Sequence, residues 1–298
     1  MGKYSDTYDI VFLGNYTKDT IISGSIIKHV DGGGFNYGAH AAVMMGLKVA
    51  AVTRLAKEDY HVIKALNGIG VDVFPTFTPK STHMQLHYPT SNMDKRFLSV
   101  ASTAGAFTPD QVETLSAKAF VITASTRDEV PLEVIEALRR KGERLVADAQ
   151  SFVRVISPDG TLVYEEWPEK RRVLSRINIL KTDAVEAEVL TGETNIEEAV
   201  RILAELGPKE VVLTHRGGVL VYANGQFHQA QFFPKKLIGR SGRGDTCIGS
   251  YMAKRLTSSP EEATIWAAAV TSLKMESEGP IRRDIKEVED LIRRRYSK

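Results

Sequence analysis

One residue in 298, Cys247, is a cysteine. That excludes an internal disulfide framework and a cysteine-built zinc site. No stretch approaches the ~18 consecutive apolar residues of a membrane-spanning helix. The opening MGKYSDTYDI lacks the apolar core of a signal peptide, and Asp6 stands where the Gly2 myristoylation pattern needs a hydroxyl residue. Neither sign of charge is in excess: 39 Lys and Arg against 37 Asp and Glu leave +2, so no field argues for nucleic acid or a membrane surface. The seven histidines show no His-Glu-x-x-His spacing. A phosphate-binding Gly-x-x-x-x-Gly-Lys-Ser/Thr loop is absent, as is a Gly-x-Gly-x-x-Gly turn after the first strand. Both absences count against a Walker-type ATPase and a dinucleotide dehydrogenase. The single cysteine fits a reducing, cytoplasmic setting.

With 43% hydrophobic residues, the chain can build one large α/β domain. Short β-rich runs alternate with helical ones. Strands are predicted at Tyr8–Gly14, Lys48–Arg54, Ala119–Thr123, Arg144–Ala149, Ile177–Lys181 and Glu210–His215. Helices are predicted at Phe35–Met45, Tyr60–Asn67, Pro131–Arg140, Ala184–Thr191 and Ile196–Leu206. This alternation implies a mostly parallel sheet with helices on both faces, whose ligands bind beyond the carboxyl ends of the strands. Two regions, about 15–31 and 71–104, are β-rich without helices of their own. Within them Thr82–Tyr88 and Lys95–Ala101 alternate around a Pro89-to-Asn92 turn. They predict a small sheet lying over the pocket as a lid, whose exposed edge could pair with a second copy of the chain. The last third is helical, with stretches at Gly244–Thr257, Pro260–Ser277 and Asp284–Tyr296. Its Arg293-Arg294-Arg295 ending suits a solvated helix terminus.

The segment richest in chemistry is Gly239-Arg240-Ser241-Gly242-Arg243-Gly244-Asp245-Thr246. Alternate glycines just before a helix let main-chain amides face a ligand. Free amides at the positive end of a helix form an anion site suited to a phosphoryl group in transfer. The same field favours the ionised form of Asp245, and a carboxylate there can orient a hydroxyl and take its proton. Asp is also common as a plain N-terminal helix residue, so spacing alone leaves both readings open.

Gly242-Arg243-Gly244-Asp245-Thr246 resembles the Gly-Ala-Gly-Asp-Thr/Ser signature of ribokinase-like (PfkB) carbohydrate kinases, with Arg243 in place of Ala and Gly239 where the family often has Asp. The resemblance spans nearly the whole chain and implies a single ribokinase-like α/β kinase domain over 1–298. It implies Asp245 as catalytic base, with the amides of Gly242, Arg243 and Gly244 as anion hole. Gly32-Gly33-Gly34 leading into Phe35 and Asn36 resembles the family's N-terminal glycine signature. Tyr37, where ribokinases carry Asn, brings the chain closer to the inositol-kinase-like branch. Asp19 matches the carboxylate that receives substrate hydroxyls. Gln150 and Arg154, downstream of Asp148, resemble substrate-side residues of inositol-kinase-like members.

Lys181, Asp183 and Glu186 occupy the place of the family's Asn-x-x-Glu motif, which organises magnesium and phosphates partly through water. Asp183 and Glu186 also read as a helix capping box. Thr214, Arg216, Gly217 and Gly218 resemble the nucleotide-side turn, one residue short, and Lys274 lies in a stretch that lines the adenine pocket in relatives. The resemblance therefore implies an ATP- and Mg2+-dependent transfer of the γ-phosphoryl group to a hydroxyl of a small neutral polyol or sugar, inositol-like first. A nucleoside kinase of the same fold and a non-catalytic sugar-binding regulatory protein remain alternatives. Arg243-Gly244-Asp245 is also an adhesion tripeptide, which without a secretion signal carries little, and Cys247 reads as a buried helix residue.

Overall fold

The computed structural model describes residues 7–90 and 96–296. Among these residues ten α-helices and fifteen strands follow in chain order. Strand β1 (Tyr8–Leu13) enters the core, and β2 (Thr17–Ser23) and β3 (Ile26–Asp31) form a hairpin before α1 (Gly34–Val43). Next come β4 (Val49–Ala56), α2 (Tyr60–Gly68), β5 (Val71–Thr78), β6 (Thr82–Tyr88), β7 (Phe97–Ser102), β8 (Ala117–Ile122), α3 (Leu132–Lys141) and β9 (Gly142–Asp148). The middle of the chain holds α4 (Gln150–Val153), β10 (Arg154–Ile156), β11 (Leu162–Tyr164), α5 (Lys170–Leu174), β12 (Ile179–Asp183), α6 (Ala184–Thr191) and α7 (Ile196–Glu205). The chain closes with β13 (Glu210–Thr214), β14 (Gly218–Ala223), β15 (Gln226–Gln231), α8 (Arg243–Arg255), α9 (Pro260–Lys274) and α10 (Ile285–Arg295).

Nine strands form the main sheet in the order β15-β14-β13-β12-β9-β8-β1-β4-β5. All neighbours from β13 to β5 pair parallel, while β14 and β15 add antiparallel at one edge. The apolar runs of the central strands are buried on both faces, as parallel sheets require. In β1, Ile10 and Phe12 enter the core shared with α1, α2, α8 and α9, and Val11 and Leu13 the opposite core with α3, α6 and α7. Period-2 alternation thus divides one strand between two layers. Side-chain caps set several helix starts: Asn195 for α7, Ser259 with Glu262 for α9, and Asp284 with Glu287 for α10. Helices α1 and α8 cross at Gly38 and Gly249, where a Cβ on Gly249 would stand 2.6 Å from the Gly38 Cα. Bare backbone at the crossing brings both helix N-termini to one end of the sheet.

The lid is a four-stranded sheet, β3-β2-β6-β7. One boundary is corrected. Val71–Thr78, placed with the lid by its mixed pattern, pairs parallel with β4 as the outer strand of the main sheet. Half-burial on an edge gives it the same irregular alternation as a lid strand, and Pro75 is tolerated there because an edge strand leaves one row of amides unpaired. The lid therefore begins at Thr17 and resumes at Thr82. Residues 91–95, which contain part of the expected hairpin turn, lie outside the described residues. The β14–β15 hairpin is an addition that the sequence reading did not contain.

Strand order reverses around β1, which has β4 on one side and β8 on the other. Such a switch point opens a crevice beyond the strand ends, and the lid covers it.

Candidate active site

The crevice is built from loops that leave β1, β8, β9 and β12. A cavity of ≈ 80 Å³ is lined by Thr17, Asp19, Gly33, Gly34 and Tyr37 from the first lid hairpin and α1. Met84, Leu86, Arg96 and Leu98 reach it from the lid, Ser125, Gln150 and Arg154 from beyond β8 and β9, and Ser241, Gly242 and Asp245 from α8. The structure thus brings Asp19, Gly33, Gly34, Tyr37, Gln150, Arg154, Gly242 and Asp245 together from distant parts of the chain. Gly32 sits one residue outside the lining; its amide donates to Thr17 O at 2.8 Å, and it packs against the Asp19 carboxylate.

Several polar groups here are buried without a partner. Asp19 is 8% exposed and its Oδ1 receives no hydrogen bond, and the Tyr37 hydroxyl and Arg154 Nε are likewise unpartnered. Buried polar atoms are normally satisfied, so these three are open to a polar ligand. Burial pushes the Asp19 carboxyl up to about 7, against the lowering pull of a Thr17 hydrogen bond and Arg96. Gln150 Nε2 donates to Ala124 O at 3.2 Å and to Asp245 Oδ1 at 3.4 Å, holding its amide between strand end and carboxylate.

Gly242, at φ +74, caps α8 in the left-handed region that glycine adopts without strain. The Arg243 amide donates to Arg240 O at 3.2 Å, so of the three amides expected in the anion hole this one already has an acceptor. Asp245 departs from the expectation based on the helix field: burial raises its carboxyl above the usual range, and Lys181 and Arg154 only partly offset it. Desolvation in the crevice outweighs the helix end.

Beneath Asp245 lies a buried charge network. The Lys181 ammonium is 3.0 Å from Asp148 Oδ2 and 3.8 Å from Glu186 Oε2, and Arg154 donates to Glu186 Oε1 at 3.0 Å. Burial disfavours the Lys181 charge, yet Asp148, Glu186, Asp183 and Asp245 more than compensate and raise its pKa. Burial and Asp183 in turn push Glu186 upward. Asp183 and Glu186 make the reciprocal capping box of α6, at 2.9 and 3.0 Å. Both Glu186 oxygens are thereby engaged, and no cluster of three or more metal-ligating side chains exists among the described residues. With both its oxygens engaged, Glu186 would reach a metal ion only through water.

The donor-side expectations separate. Thr214 ends β13, buried. His215 to Gly218 form a tight turn, with His215 N donating to Gly218 O at 3.0 Å; Arg216 and Gly217 are exposed on it, and Gly218 is in the ladder opposite Gln231. Gly218 is therefore a sheet residue, and a Cβ there would meet Ala230 O. Lys274 belongs to the stretch expected to line an adenine pocket, and its side chain turns inward. It is fully buried, its ammonium bonded to the carbonyls of Gly239 and Ser241. The sequence reading missed Ser125, Arg96 and the inward lid residues Met84 and Leu86. Only the period-2 alternation from Thr82 to Tyr88 signalled the last two.

A lidded pocket at the switch point of a parallel sheet, with a carboxylate on a glycine-rich helix N-terminus, defines a small-molecule kinase of the ribokinase type. The chain belongs to the pfkB family of carbohydrate kinases, whose model matches residues 7–286. A cytidine kinase from Thermococcus kodakarensis is 30% identical over 263 residues, covering 82% of this chain and 87% of that protein. A pyrophosphate-dependent kinase of the ribokinase family, solved with a pyrophosphate analog and myo-inositol, is 35% identical with a TM-score of 0.88, covering 94% of this chain and 99% of its own. A pyrophosphate-dependent myo-inositol-1 kinase, converted into a myo-inositol-3 kinase by two substitutions, is 34% identical with a TM-score of 0.87, covering 97% and 100%.

Proposed function

We propose that this kinase transfers a phosphoryl group from inorganic pyrophosphate to a hydroxyl of a cyclic polyol of the inositol class, with Asp245 as the base. The observation that carries the acceptor reading is the set of unpartnered buried groups, Asp19 Oδ1, the Tyr37 hydroxyl and Arg154 Nε, around a cavity of only ≈ 80 Å³ that also contains Asp245. Asp19 accepts hydroxyl protons and Arg154 donates to hydroxyl oxygens, which fixes one ring face. Asp245 takes the proton of the attacking hydroxyl as its oxygen bonds to phosphorus and the bridging P–O bond breaks. Phosphate leaves, and the Gly242 and Gly244 amides stabilise the charge on the transferring group. Magnesium bound with the donor would neutralise phosphate charge.

The sequence led to ATP as donor. Pyrophosphate is favoured because structures 34–36% identical over nearly the whole chain are described as pyrophosphate-dependent. The partly buried Arg243, where the family signature has Ala, adds a cation suited to a small polyanion. The exposed lid edge, with Ile26 and Ile27 outward on β3, supports pairing with a second copy. No helix among the described residues is long and apolar enough to cross a membrane.

A second reading has its own support: a nucleoside acceptor with ATP. It rests on the cytidine kinase similarity and on an adjoining ≈ 310 Å³ cavity that shares Arg154 and includes Asn15, Thr103 and Thr126. Phosphorus NMR of turnover separates the readings, with Mg-pyrophosphate or Mg-ATP against myo-inositol, ribose, fructose, adenosine and cytidine. A phosphomonoester from pyrophosphate and myo-inositol is the expected product. Product only from ATP and cytidine selects the second reading, and saturable binding without any product indicates a non-catalytic binding protein.

A further inference from the structure

Lys274 closes α9 with no exposed surface. Its ammonium donates to Gly239 O at 2.9 Å and to Ser241 O, and lies 5.3 Å from the Tyr37 ring centroid. Three protons thus face two carbonyls and an aromatic face, with no carboxylate of the described residues in contact. The same stretch is pinned again where the Ile238 and Gly239 amides donate to Met275 O at 2.9 and 3.1 Å. The Tyr37 ring packs in turn against Gly242. The two carbonyls belong to the residues that lead directly into the glycine loop, so their direction sets where the following amides point.

We propose that Lys274 is a positioning residue for phosphoryl transfer: a buried ammonium that holds residues 239–242 so that the Gly242 and Gly244 amides face the donor, and that keeps a fixed positive charge behind them. The inference rests on the kinase reading above. A cation in a site of low dielectric acts strongly on charge that develops nearby, and here it acts without touching substrate. Burial lowers the Lys274 pKa to about 8; Asp245 and Glu278 act to raise it and Arg243 to lower it further. Proton loss therefore sets in as pH rises past about 8, and turnover should fall there.

Lys274→Met and Lys274→Arg test this, with kcat and acceptor KM measured separately from pH 6 to 10. In Lys274→Met, kcat should fall at least 30-fold with acceptor KM within threefold, the alkaline limb should vanish, and ammonium or methylammonium should restore part of the rate. Lys274→Arg should keep more of the rate and move the limb upward, because guanidinium stays charged. A kcat within threefold in Lys274→Met, or a loss with the limb retained and no amine recovery, overturns the proposal. Should Lys274→Met not fold, an unchanged limb in Lys274→Arg overturns it equally. Calorimetric binding of Mg-methylenediphosphonate keeps the two failures apart. Wild-type protein that turns over no acceptor defeats the kinase reading alone, whereas equal diphosphonate affinity in wild type and folded Lys274→Met defeats the role of Lys274.

Discussion

Gly34 and Asp245 meet at the floor of the pocket: a Cβ at residue 34 would stand 2.5 Å from Asp245 Oδ1 and 2.6 Å from the Thr123 Cβ. The N-terminus of α1 thereby limits where the carboxylate can sit. Gly34→Ala should push Asp245 off its position and cost stability as well, because the new methyl would also meet the buried Thr123 Cβ and, at 2.8 Å, its main-chain oxygen. A misplacement of about 1 Å costs on the order of 100-fold in rate. Steady-state kinetics on the folded variant should show kcat reduced by about that factor, with a lowered thermal midpoint; a kcat within threefold would show that the carboxylate is not so constrained.

Asp19 gives a pH dependence of definite sign. Its carboxyl is held near 7 by burial, against about 3.9 in an unfolded chain. The ionised form is the better acceptor of substrate hydroxyl protons, so acceptor KM should fall as pH rises from 6 to 8. In Asp19→Asn that trend should vanish. A KM slope that survives the substitution would assign it to another group.

The same shift has a stability consequence. A carboxyl with a raised folded pKa binds more protons folded than unfolded, so its ionisation costs stability progressively from the unfolded pKa to about 7, and in full above that. The shift corresponds to at most roughly 4 kcal/mol. Asp19→Asn should therefore melt above wild type at pH 8, by about 2–4 kcal/mol in denaturant titration, and no higher than wild type at pH 4. A less stable variant at pH 8 would contradict the desolvated carboxylate.

How far these residues were legible in the sequence varies with what holds them. The central strands were readable because Ile10–Leu13 or Val211–Leu213 are continuous apolar runs that only two-sided burial explains. Asp245 and the glycine loop were readable because a local motif creates a local geometry. Lys274 was not, since its partners are main-chain carbonyls 35 and 33 residues away, and no side-chain pattern marks a carbonyl. The upward push on the Asp245 carboxyl was not legible for a related reason. The helix end is local and visible in sequence, whereas burial under a lid is a property of the assembled fold.

The charge network under the site should be costly to break. Lys181→Met would leave Asp148, Glu186 and Asp245 without their shared cation. Removing one partner of a buried pair costs about 3–5 kcal/mol. Urea unfolding should show a loss of that size, and a loss under 1 kcal/mol would mean that the carboxylates are neutral in the folded protein.

The central claim is that Asp245 accepts the proton of the attacking hydroxyl, and the most direct measurement is Asp245→Asn kinetics beside acceptor binding. The account predicts kcat lower by roughly 10²–10⁴-fold, with myo-inositol affinity and thermal midpoint close to wild type. A kcat within threefold of wild type would contradict it.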